Sequence, residues 1–105
     1  MADLTGRLIT EFIGTFVVLS TFFTLVASPS PGSSPAFIPL GVGLSVAAAM
    51  YMGMGISGAN YNPAVSFMFY LKEGNVNKFA SYVFAQLAGA AAAVEFVKNF
   101  NPSYV

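Results

Sequence analysis

The chain has 105 residues, 56% of them hydrophobic and 8% charged, with a net charge of zero. A soluble domain carries about 25% charged residues, so the composition argues against a soluble fold, and the neutral balance offers no basic patch for nucleic acid. There is no cysteine and no histidine. Disulfides, thiol nucleophiles and thiolate metal sites are therefore absent. Acid–base work would fall to Asp3, Glu11, Glu73 and Glu95, which are scattered rather than clustered. An enzyme has little to work with here, and no cofactor or metal ion is implied.

The first apolar stretch runs from about Leu8 to Val26. A signal peptide is the competing reading, with Arg7 as its basic start. The stretch exceeds the usual ~7–15 residues of such a core, Glu11 interrupts it, and Pro29 and Pro31 crowd any cleavage site. It reads as a membrane span. A polar loop rich in proline and serine, Ala27 to Pro35, follows. The second stretch runs from about Phe37 to Met54 and the third from about Phe79 to Val97. Each is near the ~20 residues that cross a hydrocarbon core of ~30 Å. No internal repeat is visible.

Between the second and third stretches lies a shorter apolar segment, Pro63 to Leu71. At ~1.5 Å per residue it reaches only about 13 Å, too short to span. Glycines and asparagines precede it, and Lys72-Glu73-Gly74-Asn75 follow it. A re-entrant half-helix is expected. Irregular backbone at membrane depth survives only where it lines a water-filled cavity or is buried in protein, so residues 53–61 suggest a pore or site on physical grounds. The expected fold is an all-α membrane protein with spans at about 8–26, 37–54 and 79–97, a loop at 55–62 and a half-helix at 63–71. Arg7, Lys72 and Lys78 would share one side and Lys98 the other, which favours a cytoplasmic N-terminus by a small margin. Tyr70, Tyr82 and Tyr104 are expected as interfacial anchors. The phenylalanines of the first span are expected to face lipid or to pack.

Asn62-Pro63 is suited to open the half-helix. Proline is favoured at a first helical position because its missing N–H would be unpaired anyway. Asparagine is a good N-cap, its side-chain oxygen accepting from the first turn. That fixes the amide so that its NH2 can donate into a lumen. The positive end of the helix dipole lies at the same place and disfavours cations. Gly58 and Ala59 allow close backbone approach and leave carbonyls as acceptors, and the backbone of Gly58, Ala59 and Asn60 is expected to line the pore. Taken alone, Asn62-Pro63-Ala64 is no more than a capped helix after a turn.

The full run Ile56-Ser57-Gly58-Ala59-Asn60-Tyr61-Asn62-Pro63-Ala64-Val65 resembles the pore loop of the aquaporin/aquaglyceroporin family. Glu11-Phe12-Ile13-Gly14-Thr15-Phe16 resembles that family's first-helix motif, whose acid bonds the backbone of the pore loop. The alternative for Glu11 is a pair with Arg7, one turn earlier. Ala85-Gln86-Leu87-Ala88-Gly89-Ala90 resembles the third helix, with Gly89 for close packing and Gln86 bonding near the loop. Gly41 and Gly43 are expected to serve close packing in the second helix. The resemblance covers nearly the whole chain, in the order of one half of the aquaporin fold.

The resemblance implies a passive channel for water, and for small neutral solutes such as glycerol, in a multi-pass integral membrane protein; the particular membrane is left open. It also exposes departures. The family carries two such loops, one from each inverted half, and this sequence has one. The economical completion is an antiparallel pair of identical chains, with four such pairs expected from resemblance alone. Val65 stands where the family's other half carries a filter arginine. Val42 falls near the filter aromatic, and each mouth would combine Val42 of one chain with Met50, Ala59 and Val65 of its partner. Such a mouth is less polar and admits glycerol. Asn60 replaces a histidine common in the family, and Ala59 stands where some members carry a mercury-sensitive cysteine. Two rival readings are the N-terminal half of a split channel, completed by a separate second-half polypeptide, and a non-conducting subunit that binds full-length channels.

Overall fold

The computed structural model describes residues 3–27 and 34–100. They form four helices: α1 Leu4–Ala27, α2 Phe37–Gly53, α3 Pro63–Glu73 and α4 Val76–Phe100. The expected loop at 27–35 and the Tyr104 anchor lie mostly or wholly outside the described residues.

Local capping explains most of the boundaries. Asp3 accepts from the Gly6 N–H at 2.9 Å, so α1 starts at Leu4, ahead of its apolar stretch. Asn62 caps α3, with Pro63 as its first residue. Gly74 ends α3 in the left-handed region at φ 76°, its N–H donating to the Tyr70 carbonyl at 2.7 Å. Glycine takes that conformation without a Cβ penalty. Asn75 then accepts from the Lys78 N–H at 3.1 Å and opens α4. The α3–α4 joint is therefore a tight reversal set by two residues.

By length and composition, α1 and α4 can each cross a membrane; α2 is shorter at 17 residues. The two long helices make the main interface. Gly89 is its closest point: a Cβ there would meet the Phe12 carbonyl oxygen at 2.6 Å and Thr15 Cβ at 3.2 Å. Only glycine lets the backbones approach so nearly. Phe16 packs edge-on against Phe96, with centroids 5.3 Å apart. Phe12 and Phe22 are exposed. Helix α2 rests on α1, and α3 rests on α4 through Phe67, Tyr70 and Phe79, with Tyr70 stacked on Phe79 at 5.2 Å.

The interior is inverted relative to a soluble domain. Glu11, Thr15, Ser57, Asn60, Ser66 and Gln86 are buried, while Leu40, Leu44, Met52, Phe84 and Leu87 are more than half exposed. Large apolar side chains face outward, as suits a hydrocarbon solvent, and the polar residues gather inside, where most find partners; Thr15 Oγ1 and Gln86 Oε1 find none among the described residues. Gly41 packs against Leu25, but among the described residues nothing lies within 4 Å of a Cβ placed on Gly43.

Candidate functional site

The site is the loop between α2 and α3, and Glu11 organises it. The Glu11 side chain is fully buried. One carboxylate oxygen accepts from the Tyr61 N–H at 2.7 Å and from Gln86 Nε2 at 2.8 Å. The other accepts from Ser57 Oγ at 2.7 Å and from the Asn60 N–H at 3.0 Å. Each oxygen thus meets two donors, which suits an acceptor-only carboxylate. No ion pair joins Glu11 to Arg7; the ion pairs among the described residues are Lys78–Glu73 and Lys98–Glu95.

A second layer braces the first. Ser57 Oγ also accepts from the Ala59 N–H at 3.1 Å. Ser66 Oγ, on the first turn of α3, accepts from Asn60 Nδ2 and from Gln86 Nε2, both at 2.9 Å. The Gln86 amide orientation follows from its neighbour, since reversing it would set oxygen against carboxylate. Tyr82 is fully buried, and its hydroxyl donates to the Ser57 carbonyl at 2.6 Å. The interfacial role expected for Tyr82 is therefore corrected. Tyr82, Gln86, Gly89 and Ala93 recur at helical spacing on the buried face of α4, a pattern that identifies Tyr82 as an interior residue.

The loop backbone is unusual in a way that serves this arrangement. Gly58, Ala59 and Tyr61 have φ of 87°, 51° and 54°. Left-handed conformations are costly for alanine and tyrosine and persist only where surroundings enforce them. Here the enforcement is visible, because the N–H groups of Ala59, Asn60 and Tyr61 all point to Ser57 or Glu11. Among the described residues, no hydrogen bond uses the carbonyls of Gly58, Ala59, Asn60 or Tyr61.

At the loop's end, Asn62 Oδ1 accepts from the Ala64 N–H at 2.8 Å. The side chain is exposed, and its NH2 is free to donate. Asn62, Ala59, Asn60, Tyr61 and Val65 line a groove of about 330 Å3 together with Val46 and Met50 of α2 and Val18 and Leu19 of α1. Met50, Ala59 and Val65, all selected from sequence, thus share one groove. Val42 lies outside it, about one helical turn N-terminal to Val46. Pro63 is half-buried and Ala64 exposed at the start of α3, while Gly58 is half-buried at the head of the loop. Sequence reasoning did not single out Ser57 or Ser66. Their signal was available: each is a small hydroxyl residue placed to bond within the loop or to Gln86.

The model of the family described as "Major intrinsic protein" matches residues 2–105. Aquaporin-10 of Milnesium tardigradum is 38% identical over 101 residues, covering 91% of this chain and 25% of that protein. The glycerol uptake facilitator protein of Pseudomonas aeruginosa is 38% identical over 103 residues, covering 90% and 36%. Aquaporin AqpM of Methanothermobacter marburgensis is 34% identical over 113 residues, covering 87% and 46%. The chain thus spans between a quarter and just under half the length of these curated relatives. No solved structure matches. Proteins of this family are passive membrane channels and not enzymes. By the family match over nearly the whole chain, and by the relatives that share it, this chain is an integral membrane protein that belongs to the major intrinsic protein family.

Proposed function

We propose that this chain is a half-unit of a passive channel for water and for small neutral solutes such as glycerol, and that two copies in antiparallel orientation wall one pore. In this reading α1, α2 and α4 cross the bilayer, and α3 is the re-entrant half-helix. Helix α2, at 17 residues, is short for a span. The turn at Ser34–Ala36, with the Phe37 N–H on the Ser34 carbonyl at 3.0 Å, extends it.

The observation that carries the reading is the groove itself. Asn62 lines it beside Ala59, Asn60 and Tyr61, whose carbonyls take no hydrogen bond among the described residues. A donor beside a row of acceptors can replace the hydrogen bonds of a permeating water or polyol without a charge. The α3 N-terminus adds a positive dipole end that disfavours cations. A copy related by a twofold axis in the membrane plane would supply the missing wall and the opposing dipole, as inverted repeats do within one chain. The names of the glycerol uptake facilitator and of the aquaporins among the relatives support both solute classes.

The test is osmotic shrinkage of liposomes containing the purified chain alone, compared with Asn62→Asp. Aspartate keeps an oxygen for the Ala64 N–H, while it replaces the NH2 donor by a second acceptor oxygen and brings a carboxylate to the groove, so flux is read per folded, inserted molecule. Fast shrinkage that the substitution abolishes supports a homomeric pore. A folded, inserted chain without flux refutes it. Flux restored by a second-half polypeptide carrying the missing arginine would then assign a split channel.

A further inference from the structure

Tyr61 lines the groove, but the reading above gives its side chain no role. Its ring lies between α1 and α2. A Cβ added at Gly14 of α1 would overlap the Tyr61 ring, and one added at Gly53 of α2 would overlap its hydroxyl. The two glycines form a slot, and the ring fills it. The hydroxyl donates to the Ala49 carbonyl of α2 at 2.7 Å. At the other end of the residue, the Tyr61 N–H is fixed on Glu11. Tyr61 therefore spans from the buried carboxylate to the fourth residue before the last of α2, in a left-handed conformation that tyrosine rarely adopts.

Helix α2 needs such a fixture. It rests on α1 and barely touches α3 or α4. Beside the ring lies an apolar groove of about 160 Å3, lined by Ile13, Val17, Ala48 and Met52 among others. The α1–α2 interface is therefore incompletely filled beside the ring. Yet α2 carries Val46 and Met50, which form the groove wall beside Asn62. Met50 directly follows Ala49, the residue that Tyr61 grips.

We propose that Tyr61 is a positioning residue for solute selectivity: its ring and hydroxyl set the distance between the Met50 wall of α2 and the loop carrying Asn62, and so the width open to small polyols relative to water. The proposal rests on the channel reading above. Releasing Ala49 lets the α2 wall give way, which admits the wider solute and leaves the chemistry of the loop intact. Water, being narrower, is little affected.

The experiment measures glycerol and water permeability of Tyr61→Phe, Gly53→Ala and the double variant, each normalised to folded protein in liposomes, together with the thermal stability of all four forms. Tyr61→Phe keeps the ring in the slot and removes only the hydroxyl. It raises the glycerol-to-water ratio by about 2- to 10-fold, the worth of one neutral hydrogen bond. Gly53→Ala displaces the hydroxyl and moves the ratio the same way. The double variant is less destabilised than the two single effects added together, because the hydroxyl that collides with the new methyl is gone and only the contacts at 3.0 Å with Thr10 Cγ2 and Tyr61 Cζ remain. A merely structural role would lower both permeabilities together and leave their ratio fixed, and that result overturns the proposal. Stability keeps the two readings apart. If wild type does not conduct, the channel reading fails and the selectivity role with it. If it conducts but Gly53→Ala is equally destabilising with and without the Tyr61 hydroxyl, the wedge is absent and only the Tyr61 proposal falls.

Discussion

Replacing Glu11 by glutamine changes one atom and keeps the volume, so its effect isolates the carboxylate. In the native site each oxygen accepts two hydrogen bonds. Glutamine must place an NH2 at one of the two positions. If it faces Ser57 and Asn60, the serine hydroxyl can turn to accept, but the Asn60 N–H loses its acceptor. If it faces Tyr61 and Gln86, the Gln86 amide can reverse, at the cost of its bond to Ser66, and the Tyr61 N–H is orphaned. Either way one buried backbone donor is left unpaired, which costs ~1–3 kcal/mol. The surviving bonds lose their charge assistance, roughly 1 kcal/mol each. No longer burying a net charge offsets part of this, leaving about 2–4 kcal/mol. That is a large share of a total stability of ~5–15 kcal/mol. The assay is unfolding of purified protein in mixed micelles, alongside flux per folded molecule. Glu11→Gln lowers both stability and flux, because the left-handed loop is held by these bonds. Wild-type stability and flux in this variant would refute the claim that Glu11 organises the loop.

Three further outcomes follow from the same geometry. Asn62→Ala removes the cap on Ala64 and costs about 0.5–2 kcal/mol, whereas Asn62→Asp keeps the cap; stability should separate the two while flux falls in both. Gly89→Ala drives a methyl into the Phe12 carbonyl oxygen, which is backbone and cannot rotate away, so a thermal ramp should register a loss of about 1–3 kcal/mol from overpacking; an unchanged midpoint would mean that the helices do not approach so closely. Val65→Arg places a cation and a longer side chain in the groove and should lower glycerol permeability more than water permeability, a shift in ratio that two parallel flux assays read directly.

Much of the site is legible in the sequence because it rests on local rules. Asn62 before Pro63 specifies a capped helix start, and Gly74-Asn75 specifies a stop and a new start. The short apolar segment between them cannot span. What local rules miss is what depends on other helices. Tyr61 reads as one more aromatic beside the loop until Gly14, distant in sequence, is placed against its ring and Gly53 against its hydroxyl. Tyr82 near the start of an apolar stretch looks interfacial, but the α4 face it shares with Gln86 turns inward onto Ser57. Gly43 looks like a packing residue, and none of the described residues lies against it. The start of α1 at Leu4 depends on a polar cap from Asp3, which hydrophobicity alone does not mark.

The arrangement of the two copies is the claim on which the rest depends, and single cysteines test it most directly, because the chain has none of its own. Ala64 is exposed beside Asn62, and Phe37 is exposed at the far end of α2. Each is replaced by cysteine in turn and treated with a short thiol crosslinker in native membranes. An antiparallel pair brings the two Ala64 positions together near the bilayer centre and holds the two Phe37 positions on opposite faces, so Ala64→Cys gives a crosslinked dimer and Phe37→Cys does not. A dimer from Phe37→Cys with none from Ala64→Cys would mean that the copies pack in parallel, and would contradict a pore built from two inverted half-units.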